Sequence, residues 1–87
     1  VYSPRAGVGI RLKVENQANS GISAETQVNT TLANAWETLS FDFATVASGT
    51  AALDVSKTYD RASIFCDFGV MPGADETFYV DDIAFVP

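Results

Sequence analysis

The sequence predicts an all-β fold, an antiparallel β-sandwich, and three observations carry that reading. Apolar and polar residues alternate with period two over Gly9 to Asn16 and again over Ile22 to Thr30. Val, Ile, Thr, Phe and Tyr are plentiful, with Gly and Asn punctuating the gaps between runs. No stretch of useful length follows the helical period, and no internal repeat occurs. The 87 residues form a single domain, residues 1–87, near the size at which one hydrophobic core is barely sufficient.

Val1-Tyr2-Ser3-Pro4 reads as the end of a strand followed by a turn. In the next run Ile10, Leu12 and Val14 share one face, with Arg11, Lys13 and Glu15 on the other. Residues 17–21 read as a turn by composition. The following strand sets Ala24, Thr26 and Val28 against Ser23, Glu25, Gln27 and Asn29. A hairpin with Val14 opposite Ala24 brings Leu12 to Thr26 and Ile10 to Val28. The same register sets Lys13 opposite Glu25, as a cross-strand ion pair, and Arg11 opposite Gln27.

Trp36 to Phe43 is predicted as a third strand, with Leu39, Phe41 and Phe43 on one face. Residues 44–60 form a long loop anchored by Leu53, Val55 and Tyr59. Arg61 to Val70 is the fourth strand, residues 71–75 a turn, and Thr77 to Val86 the fifth strand. Five strands are few for a sandwich, which commonly carries seven or eight. One sheet is therefore expected to lack members and to need cover at its edges.

Composition narrows the function. The formal net charge is −6 and no basic stripe exists, so nucleic acid and anionic membrane surfaces are poor partners. An acidic, Thr/Ser/Asn-rich and Lys-poor composition suits an extracellular, secreted protein. The single cysteine, Cys66, cannot form an intrachain disulfide and reads as a small apolar residue beside Ile64. With no histidine and a thiol without a base, the chain is expected not to be an enzyme. Its adjacent acidic pair, Asp81 and Asp82, would lie on opposite faces of one strand, which does not suit a glycosidase cleft. A strand packed on both sides would also bury one of these two carboxylates, and the chain has only five basic residues to offset it. A metal ion is a candidate partner.

Four motifs occur in order: Val1-Tyr2-Ser3-Pro4-Arg5-Ala6-Gly7, Arg11-Leu12-Lys13-Val14-Glu15-Asn16, Ala35-Trp36-Glu37-Thr38-Leu39-Ser40-Phe41-Asp42-Phe43 and Phe78-Tyr79-Val80-Asp81-Asp82-Ile83. Together they resemble the C-terminal part of the carbohydrate-binding modules grouped as families four and nine. These are β-jelly rolls of the galactose-binding-like type, appended to secreted glycanases such as laminarinases. The resemblance implies a jelly-roll sandwich lacking its first strands, and a non-catalytic module, or a remnant of one, that binds a polysaccharide such as a β-glucan. It also implies a structural calcium at the terminal aspartate, with Asp81 the first choice and Asp82 the second.

Sugar recognition needs flat aromatic faces and polar side chains that fork onto paired hydroxyls. The candidates are Arg11, Lys13, Glu25 and Gln27 on the hairpin, Trp36 on the third strand, and Phe65 and Asp67 on the fourth. The alternative function is a structural subunit of an extracellular assembly or filament. There, unpaired sheet edges would accept strands from neighbouring jelly-roll-like subunits, or another chain would supply the missing N-terminal strands.

Overall fold

The computed structural model describes residues 1–67 and 76–84. Among these residues the chain is all-β, without a helix. Its strands are β1 (Tyr2–Ser3), β2 (Gly9–Asn16), β3 (Asn19–Asn29), β4 (Ala35–Trp36) and β5 (Arg61–Cys66). They form two antiparallel sheets, a two-stranded β1-β4 and a three-stranded β3-β2-β5 with the hairpin's first strand at its centre.

The hairpin register follows the period-two pattern. Val14 pairs with Ala24, Leu12 with Thr26, Ile10 with Val28, Lys13 with Glu25 and Arg11 with Gln27. Any one-residue slip would move Ile10 and Val14 to the solvent face, so burial alone fixes the pairing. The connection is tighter than composition predicts. Asn16 pairs with Asn19 across Gln17 and Ala18, and the register shifts between Glu15 and Asn16. Asn side chains hold this corner: Asn16 Oδ1 accepts from the amides of Ala18 and Asn19, and Asn19 Oδ1 from that of Gly21.

The inner face of the large sheet holds the core. Val8, Ile10, Val14 and Ala24 are buried, with Ile10 at 0 % exposure, and Thr26 is buried beside them. β5 completes this face by pairing Ile64 with Leu12 and Cys66 with Ile10. The buried hydroxyls are all satisfied. Thr30 Oγ1 donates to the Arg5 carbonyl and accepts from the Val8 amide, and Ser3 Oγ also donates to the Arg5 carbonyl.

The long loop covers one sheet edge. The Ala47 amide donates to the Glu25 carbonyl at 2.7 Å, and the Thr26 hydroxyl donates to the Thr45 carbonyl at 3.0 Å. Those contacts blunt the free side of β3 against further pairing. Leu53 and Tyr59 are half-buried as expected of anchors, and the Tyr59 hydroxyl accepts from the Asp54 amide. Val55 is not an anchor; it is 92 % exposed.

Three strands of the sequence reading are shorter than predicted or do not form among the described residues. Of Trp36 to Phe43, only Trp36 lies in a ladder, paired with Tyr2, while 37–43 run on without strand partners among the described residues. Thr77 to Ala84 form no strand either, apart from a single bridge between Tyr79 and Tyr2. The fourth strand ends at Cys66, and Asp67 turns away with φ 58°. The predicted turn at 71–75, the extension of the fourth strand over 68–70 and the last residues of the fifth strand, 85–86, lie outside the described residues.

Candidate functional site

The outer face of the β3-β2-β5 sheet gathers five of the seven sugar-binding candidates. Gln27, Arg11 and Phe65 form one cross-strand row, and Glu25, Lys13 and Ser63 the next. Glu15, with Ser23 and Arg61 on either side, forms a third. Because side chains alternate along a strand, these rows point away from the core, and all five candidates project from one surface.

The side chains on this face hold one another. Arg11 Nε donates to Gln27 Oε1 at 2.9 Å, and Arg11 Nη1 lies 3.3 Å from Glu25 Oε1. Glu25 thus pairs with Arg11 on the diagonal rather than with Lys13 directly opposite. Lys13 Nζ instead approaches Glu15 Oε2 at 3.6 Å, and Arg61 Nε reaches Glu15 Oε1 at 3.7 Å. The expected Lys13–Glu25 ion pair is therefore replaced by a chain of alternating charge, Gln27–Arg11–Glu25 beside Lys13–Glu15–Arg61. The physical reason is reach: a guanidinium on a long stem spans the diagonal between neighbouring rows.

Gly9 contributes by absence. A side chain there would strike the Gln27 amide nitrogen, so the bare backbone leaves room for Gln27 to lie across the sheet toward Arg11. Phe65, opposite Arg11, is 37 % exposed, which gives the face an aromatic surface next to its guanidinium. Most of the charged groups here are partly screened: the Arg11, Glu25 and Lys13 side chains are 17 %, 20 % and 29 % exposed. A fixed, half-covered array of donors and acceptors beside a ring can meet a hydroxyl-rich ligand without first being ordered.

The remaining two candidates lie elsewhere. Asp67 is held by Arg5, whose Nη2 donates to Asp67 Oδ2 at 2.9 Å while Nε and Nη2 fork onto Glu76 at 2.6 and 2.7 Å. This clasp joins the turn after β1, the end of β5 and the segment at 76. The Arg5 guanidinium holds the Glu76 carboxyl below the usual carboxylate range, and the two carboxylates raise Arg5 further in return. The Arg5 clasp has no counterpart in the sequence reading; only the charge signs of Arg5, Asp67 and Glu76 hinted at it.

Trp36 is 55 % exposed on the small sheet, not on the polar face. Its ring stands edge-on to Tyr2 at 5.9 Å, and Tyr79 packs edge-on to Tyr2 at 5.6 Å. Next to Trp36, the Glu37 carboxylate accepts from the Thr31 hydroxyl at 2.8 Å and from the amides of Thr31 and Leu32. Those bonds, the Thr31 hydroxyl first, hold its carboxyl below the usual range. Trp36 also borders an open cleft of about 550 Å³, lined by Ile10 and Ile64 on one side and by residues 80–84 on another.

Asp81 and Asp82 sit on that cleft, and both are exposed. The expectation that one of them is buried is corrected: Asp82 adopts φ 55°, which breaks the alternation a strand would impose. The Asp82 amide donates to Asp81 Oδ1 at 2.8 Å. Calcium prefers six to eight oxygen ligands. Among the described residues no group of three His, Cys, Asp or Glu side chains stands close enough to share a metal ion. Cys66 is half-buried; burial, then the Asp67 charge, pushes its thiol up from the ordinary range.

No protein-family model matches the chain, and no curated protein or solved structure matches it.

Proposed function

We propose that the chain is a non-catalytic carbohydrate-binding module that holds a polysaccharide such as a β-glucan on the outer face of the β3-β2-β5 sheet. On this reading the two sheets belong to a jelly-roll sandwich of the galactose-binding-like type, working outside the cell. The observation that carries the proposal is the convergence of Arg11, Lys13, Glu25, Gln27 and Phe65 on one face in neighbouring rows. Arg11 and Gln27 orient each other, so this row sets a guanidinium and an amide side by side, the pairing that recognises adjacent hydroxyls of a sugar ring. Phe65 supplies an apolar plane beside them for the C–H face of the sugar. Arg11, Lys13 and Arg61 stand among Glu15 and Glu25, so the face mixes both charge signs and favours a neutral glycan over a polyanion.

Affinity electrophoresis in gels containing a soluble β-glucan tests the proposal. Migration is slowed by the glycan in the parent chain, and Arg11→Ala restores free migration while keeping the far-UV circular dichroism of the fold. Equal retardation of the parent and of Arg11→Ala would remove this face as the binding surface.

A further inference from the structure

Two segments bordering the Trp36 cleft have strand-grade sequences and no ladder. Thr38-Leu39-Ser40-Phe41 and Val80-Asp81-Asp82-Ile83-Ala84 both contribute to its walls, the first through Thr38, Leu39 and Phe41. Among the described residues, the backbone groups of 38–41 and of Val80, Asp81, Ile83 and Ala84 make no hydrogen bond. Elsewhere the fold does cap its exposed main chain, as at the free side of β3, where Ala47 binds the Glu25 carbonyl. Leu39 and Phe41 are half-buried, and Val80 and Ile83 remain exposed at 38 % and 70 %. A second opening of about 590 Å³ lies along the same stretch and is also lined by Leu39 and Phe41.

We infer that this cleft is an acceptor for an extended strand of another protein, one that alternates apolar and basic residues. Unpaired main chain is met by main chain: a strand laid along 38–41 supplies the missing donors and acceptors, and its alternate side chains enter between Leu39, Phe41, Ile64 and Ile83. Charge complementarity sets the other half of the pattern. Among the described residues, Glu37, Asp81 and Asp82 line the cleft and no Lys or Arg does, while the chain as a whole carries −6. The same net charge opposes a second copy of this chain in that place.

The sole tryptophan borders the cleft and reports on it directly. The probe is a synthetic peptide, Ac-Ile-Lys-Val-Arg-Leu-Lys-Val-NH2, titrated into the full chain while Trp36 emission is followed. Binding is expected to shift the emission to the blue and to weaken as salt is raised. N-methylation at alternate peptide amides, which removes ladder donors and keeps the side chains, abolishes the shift. Replacing the basic residues by Glu weakens binding about tenfold or more, and Asp81→Asn with Asp82→Asn weakens it several-fold. Arg11→Ala leaves it unchanged, because Arg11 is on the opposite face of the sheet, so failure here and failure of the glycan proposal are separately visible. Equal binding of the N-methylated peptide would overturn the strand-acceptor inference. So would displacement of the peptide by a soluble β-glucan, which would make the cleft a sugar site. Sedimentation of the chain alone as a dimer that excludes the peptide would give the cleft to a second copy.

Discussion

Replacing Ile10 by alanine measures whether the inner face of the β3-β2-β5 sheet is the core of this protein. Ile10 is 0 % exposed, sits on the central strand, and is flanked by Val28 and Cys66. The substitution removes three carbons, worth about 2–2.5 kcal/mol at roughly 0.8 kcal/mol per methylene. A residual cavity adds to this, but Ile10 borders the open cleft, so little closed void is left behind. The expected loss is about 3 kcal/mol, toward the lower part of the roughly 2–5 kcal/mol range of such truncations. For a chain of this length that is a large share of a total of roughly 4–13 kcal/mol, and it lowers Tm by roughly 12–24 °C. Urea unfolding followed by far-UV circular dichroism provides the assay, with Val55→Ala as the control. Val55 is 92 % exposed, and its truncation is expected to stay within about 0.5 kcal/mol. A loss below about 1 kcal/mol at Ile10, or an equal loss at Val55, would refute the assignment of the core.

Other measurements bear on the surface groups. Glu37 and Glu76 have carboxyls held below the ordinary range, so between the folded and unfolded values the unfolded chain binds more protons. Their contribution is present above the ordinary carboxyl value of about 4.3 and is lost as pH falls below it. Tm should therefore be flat from neutral pH down to about 5 and fall below that; Glu37→Gln should flatten the fall, and an unchanged profile in that variant would contradict the role of the Thr31 bonds. Cys66 has its thiol raised by burial and by Asp67, so a disulfide reagent at pH 8 should react more slowly with the folded chain than with the chain in urea. Equal rates would mean the thiol is not shielded. If a calcium ion sits at the exposed Asp81 and Asp82 with further oxygens completing its shell, chelation lowers Tm, and an unchanged Tm would remove the ion from this pair. A fall restored by added calcium would show that other oxygens complete the site.

The hairpin was legible residue by residue, and the reasons are local. Ile10, Leu12 and Val14 alternate with charges, their partners alternate in step, and burial of one face permits a single register. The outer face was legible for the same reason, since parity alone places Arg11, Lys13, Glu25, Gln27 and Phe65 together. Side-chain pairing was not: register gives the residue opposite, whereas Arg11 reaches diagonally to Glu25 and leaves Lys13 to Glu15. Trp36 to Phe43 and Thr77 to Ala84 show the limit of pattern reading. Alternation and β-propensity describe a residue that fits a pleated surface, but a strand also needs a partner, and the partner is set by tertiary structure. Nothing local announces the positive φ of Asp82, which is what turns both carboxylates outward. The long loop illustrates a milder case: its composition suggested three anchors, and only Leu53 and Tyr59 are half-buried.

The glycan proposal stands on the geometry of one face, and a comparison of two aromatic truncations tests it most directly. Phe65 lies in the Arg11–Gln27 row, whereas Trp36 lies on the small sheet beside the cleft. Calorimetric titration of a soluble β-glucan into the parent chain, Phe65→Ala and Trp36→Ala is expected to give binding in the parent and in Trp36→Ala, and a loss of about tenfold or more in Phe65→Ala. Binding that survives in Phe65→Ala and disappears in Trp36→Ala would move the sugar to the cleft and contradict the assignment of the outer sheet face.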